Sequence, residues 1–124
     1  MFKSQLIVNV PFDGGDRILH ANLIYYSEKA KCNIIVPIGF TTDYGSIPKI
    51  LHGIMSPTGK PTYAFVIHDY LYKTGKYTKS VSDEILNEAM KILDVGFIKR
   101  YSIIAGLKVG GFVAWNKHRK KDIK

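Results

Sequence analysis

A single cysteine, Cys32, stands in 124 residues, so no internal disulfide can form. Its absence excludes the stapled, loop-rich scaffolds of small secreted domains and suits a reducing compartment. Acid is also scarce: 10 Asp and Glu face 18 Lys and Arg, a formal charge of +8. That balance favours polyanions: nucleic acid, anionic lipid or an acidic protein face. No apolar run reaches the roughly 20 residues needed to span a bilayer. The nearest, Tyr101 to Trp115, is interrupted by Lys108. Met1-Phe2-Lys3-Ser4-Gln5 has no apolar h-region and no small-residue cleavage site, so no signal peptide is expected. Repeats, low-complexity tracts, linkers and phosphate-binding glycine loops are missing too, and one domain over residues 1–124 is the expectation.

What is present reads as strands first and helices after. Hydrophobic residues make up 46% of the chain, enough for one core at this length. Gln5 to Val10, Arg17 to Tyr26 and Asn33 to Ile38 are apolar, branch-rich runs separated by turn residues. They predict a small antiparallel sheet in a strand-rich part, 1–39. A helical part, 40–116, follows. Ile47-Pro48 opens a short helix to about Met55, with Ser46 as its cap. Further helices are expected at about Thr62–Lys73, Val81–Leu93 (capped by Ser80 or Ser82) and Ile98–Asn116. The fold class is therefore α+β, with about four helices. Lys117 to Lys124 is a basic tail, read as solvated, with a polyanion contact as the weaker reading.

The chemistry concentrates in Ala64-Phe65-Val66-Ile67-His68-Asp69-Tyr70-Leu71-Tyr72. His68 and Tyr72, four apart, share one helix face, and Asp69 lies about 100° around. A histidine, a carboxylate and a phenol in a mostly apolar helix are costly to bury unless they satisfy one another. They form either a satisfied polar cluster or an active site. A short loop joins the next helix, so the two helices should pack antiparallel. Gly75 lies near the midpoint between His68 and Asp83, which sets Asp83 level with His68. Such a carboxylate would fix the imidazole tautomer and make the other ring nitrogen a better base. Alternatively, Asp83 is a first-turn acid favoured by the helix dipole. In Phe40-Thr41-Thr42-Asp43-Tyr44-Gly45-Ser46, Asp43 could ligate a hard cation. Ser46 suits a cap better than a nucleophile, because no Gly-x-Ser-x-Gly elbow is present. His20, His52 and His118 sit in unrelated segments and do not make a zinc set.

Phe40-x-Thr42-Asp43-x-Gly45-Ser46-Ile47-Pro48, His68-Asp69-x-Leu71-Tyr72, Asp83 and a Gly-rich aromatic C-terminal helix together resemble a family of small bacteriophage and prophage proteins of unknown function. The match spans roughly residues 40 to 115. It implies a phage setting: the bacterial host cytoplasm during infection, or incorporation in the virion. His-Asp-x-x-Tyr with an aspartate on the next helix also resembles the site of secreted and parvoviral phospholipases A2. That likeness implies His68 as general base for an attacking water and Tyr72 with Asp83 as its orienting partners. It further implies calcium, ligated by Asp69 and polarising the ester carbonyl, with only the loop around Asp43 to Gly45 to replace the usual calcium loop. The Tyr-x-Gly-x-Gly calcium loop and the disulfides of those enzymes are missing here, and the helix connection is shorter. Two functions follow. One is a calcium-dependent, phospholipase A2-like hydrolase of a phospholipid or other ester. The other is a non-catalytic virion or tail-associated component, in contact with other virion proteins, whose polar residues form a buried network.

Overall fold

Strands form where branched and aromatic residues alternate between two faces, and Leu23, Tyr25 and Ser27 share the buried face of their run. The structure, a computed structural model, describes residues 1–9, 11–12, 16–42 and 61–122. Its elements in chain order are β1 (Arg17–Ile18), β2 (Leu23–Ser27), β3 (Cys32–Val36), β4 (Thr41–Thr42), α1 (Pro61–Thr74), α2 (Lys79–Ile92) and α3 (Phe97–Asp122). β2 and β3 form an antiparallel hairpin, with Leu23 opposite Val36 and Ser27 opposite Cys32. β1 pairs antiparallel with β4 as a second two-stranded sheet. The chain is thus α+β, as its sequence predicts. The expected first strand, Gln5 to Val10, is reduced among the described residues to a single bridge, Val8 to Leu19. β4 lies beyond Gly39, in the part expected to be helical.

One apolar core joins the hairpin to the helices. Leu23, Tyr25, Ile34 and Val36 pack with Ile67 and Leu71 of α1, Ile85 and Met90 of α2, and Ile103 and Leu107 of α3. The Tyr25 hydroxyl donates to Glu88 Oε1 at 2.5 Å, and the Lys29 amide donates to Glu88 Oε2 at 2.8 Å. One carboxylate on α2 therefore fastens the hairpin across the core. Burial together with that bond pushes the Tyr25 phenol well above its ordinary value.

Pro61 occupies the first turn of α1, where its missing N–H costs nothing. The cap of α2 is Thr78 rather than Ser80 or Ser82: its side chain accepts from the Val81 amide at 3.2 Å. Ser82 instead donates to the Thr78 carbonyl at 2.8 Å. The expected helix from Ile47 lies outside the described residues, among which there are three helices.

α3 does not stop near Asn116. It continues through Lys117-His118-Arg119-Lys120-Lys121 to Asp122, so most of the supposed tail is helix. Arg119 anchors it. Its Nη2 donates to the carbonyls of Tyr72 at 2.8 Å and Lys73 at 3.2 Å. Those carbonyls end α1 and have no partner further along that helix. The guanidinium also lies 4.5 Å from the Trp115 ring centre. Gly75 makes room: its φ is +63°, and a Cβ there would collide with the Arg119 guanidinium.

Candidate functional site

The antiparallel packing of α1 and α2 brings His68 and Asp83 together, as their equal distance from the loop predicts. His68 Nε2 lies 2.8 Å from Asp83 Oδ1. The Tyr72 hydroxyl donates to that same oxygen at 2.7 Å. The His68 and Tyr72 rings, one turn apart, lie 4.1 Å centre to centre. Burial, then the bond to Asp83, raises the Tyr72 phenol far above its ordinary range, so it stays a donor.

Lys79 completes the cluster, and sequence reasoning missed it. Its Nζ donates to Asp83 Oδ2 at 2.9 Å and to the Leu107 carbonyl at 3.1 Å. It also lies 4.4 Å from the Phe112 ring centre. The signal was available: Lys79 stands four residues before Asp83 on one helix face. Burial pushes the Asp83 carboxyl up, but the bonds from His68, Lys79 and Tyr72 outweigh it and hold the group below its ordinary value. Asp83 is therefore an ionised carboxylate at neutral pH. Facing it, His68 presents an N–H at Nε2. Among the described residues, Nδ1 has no hydrogen-bond partner. The imidazole itself is 2% exposed.

Asp69 occupies a different environment, on the strand side of α1. Its Oδ2 accepts from the Thr42 hydroxyl of β4 at 2.7 Å, and Lys73 Nζ stands 3.3 Å away. Lys73 also donates to the Thr41 carbonyl at 3.0 Å. Asp69 was expected to hold calcium with Asp43. Asp43 lies outside the described residues, as do Ser46 and His52. An ammonium and a hydroxyl already lie on Asp69, where a hard cation would need bare oxygens. Among the described residues no cluster of three His, Cys, Asp or Glu could hold a metal. Among the described residues nothing points to calcium, and Asp43 is not one of them. Of the other described histidines, His20 is exposed and His118 sits far along α3, outside this cluster. Cys32 is half-buried, its Sγ 3.4 Å from the Tyr77 hydroxyl.

A groove of about 570 Å³ runs between α2 and α3, lined in part by Lys79, Asp83, Asn87, Lys108 and Phe112. Asp83 opens onto it, whereas His68 does not line it.

The fold and cluster define an α+β protein whose helix hairpin buries a His-Asp-Tyr-Lys hydrogen-bond network. The family model described as a protein of unknown function, DUF1353, matches residues 18–106, and the chain belongs to that family. No curated protein and no solved structure matches it.

Proposed function

We propose that the chain is an ester hydrolase of the phospholipase A2 type, with His68 as its general base. The observation that carries this reading is Asp83 Oδ1, shared by His68 Nε2 at 2.8 Å and the Tyr72 hydroxyl at 2.7 Å. Asp83 and Tyr72 are positioning residues: they hold the ring with its proton on Nε2 and its lone pair on Nδ1. Nδ1 takes a proton from water as the water oxygen bonds to the ester carbonyl carbon. The imidazolium then returns that proton to the alkoxide as the carbon–oxygen bond breaks, leaving an acid and an alcohol. No step is routed through calcium.

A second reading is favoured by the 2% exposure of His68 and the full bonding of Asp83. In it the cluster is a buried structural network in a non-catalytic protein, such as a phage virion or tail component. One assay separates the two. Hydrolysis of mixed phospholipid vesicles and of a soluble short-chain ester is followed for wild type and His68→Asn, with calcium and with chelator. The hydrolase reading expects turnover that falls by about 10²–10⁴-fold in His68→Asn. No turnover in wild type under any condition, with a lowered melting temperature for His68→Ala, decides for the structural reading. Turnover that vanishes in chelator would bring Asp69 and Asp43 back as calcium ligands.

A further inference from the structure

α3 is apolar on two opposite faces. Its inner face, with Ile103 and Leu107, enters the core. Its outer face carries Ile98, Tyr101, Val109, Phe112 and Val113, all exposed, with Ile98 at 79%, Val109 at 87% and Val113 at 77%. Ile98, Tyr101, Ala105, Val109 and Phe112 recur at spacings of three and four, so they form one continuous stripe. A stripe of this length on a helix with room only for one core face marks an interaction surface.

The charge around the stripe selects the partner. Between Phe97 and Asp122 the helix carries Lys99, Arg100, Lys108, Lys117, Arg119, Lys120 and Lys121, and its one acid is the terminal Asp122. At 100° per residue, Lys108 and Lys120 fall about 60° to either side of the stripe's centre. Both are exposed. Apolar side chains flanked by lysines match a bilayer interface, with the stripe in the acyl boundary and ammonium groups at anionic headgroups. No helix among the described residues is long and apolar enough to cross the membrane, so the contact is interfacial. Phe112 and Lys108 also line the groove onto which Asp83 opens, so the face is continuous with that groove.

We infer that the outer face of α3 docks this protein flat on an anionic lipid surface. The inference stands without the hydrolase reading, because docking is read without turnover.

The test is co-sedimentation of the full chain with vesicles of phosphatidylcholine alone or mixed with phosphatidylglycerol. Wild type should bind the mixed vesicles and not the neutral ones, and salt should weaken the binding. Val109→Ser with Val113→Ser should weaken it by about tenfold or more. Lys108→Gln with Lys120→Gln should weaken it by roughly fivefold per lysine. Melting temperatures near wild type would show the variants folded, and His68→Asn should bind as wild type does. Absence of binding to the mixed vesicles would overturn the inference. So would binding that follows the lysines but ignores Val109 and Val113, which marks a simple polyanion contact. A stable dimer in sedimentation equilibrium, broken by Val109→Ser with Val113→Ser, would assign the face to a second copy and overturn it as well.

Discussion

α1 and α3 depart from simple amphipathic patterning in opposite directions. α1 buries polar groups, His68, Asp69 and Thr62, among Phe65, Ile67 and Leu71. α3 exposes apolar groups, Ile98, Val109 and Val113, among lysines. The first departure is compensated inside the protein, because His68, Tyr72 and Lys79 all converge on Asp83. The second has no compensation within the described residues and points outward. Substitutions in α1 and α2 should therefore be read in stability, and substitutions on the outer face of α3 in association.

The largest expected effect is at Asp83. Asp83→Ala removes the carboxylate and strands a buried ammonium, an imidazole and a phenol. Denaturant unfolding should show a loss of about 3–5 kcal/mol. A loss under about 1 kcal/mol would mean that the network contributes little and that the contrast between the helices is superficial.

Next comes pH. The bonds from His68, Lys79 and Tyr72 hold the folded Asp83 carboxyl below its ordinary value, so the folded state binds its proton less readily than the unfolded chain. The resulting stability is fully present above the unfolded value and is lost as pH falls through the folded one. Melting curves from about pH 5 downward should therefore fall more steeply for wild type than for Asp83→Asn. Parallel curves would remove Asp83 from the acid limb.

The smallest effect sharpens the contrast from the other side. Val109→Ser with Val113→Ser should change stability by no more than about 0.5 kcal/mol per site, since neither side chain enters the core. A larger loss would mean that the outer face supports the fold.

Much of the site was legible in the sequence because it rests on short-range spacing. Helical spacing joins His68 to Tyr72, and the short loop at Gly75 sets Asp83 level with His68. Lys79 and Lys73 were legible by the same rule, each four residues from its aspartate, but only the carboxylates drew attention. At Asp69 a metal would compete with Lys73, a cation the helix already supplies. Arg119 was not legible: its hydrogen bond to Tyr72 spans 47 residues and depends on how α3 crosses the end of α1. The tail therefore read as solvated chain although it is helix as far as Asp122. The N-cap is Thr78 and not Ser80 or Ser82, three hydroxyl residues that compete within five positions.

Asp83 orients the His68 ring through Nε2, and ¹⁵N NMR of that ring tests the orientation most directly. In the neutral ring the proton should sit on Nε2 and leave Nδ1 bare, with that preference lost in Asp83→Asn. A neutral ring carrying its proton on Nδ1 would contradict it.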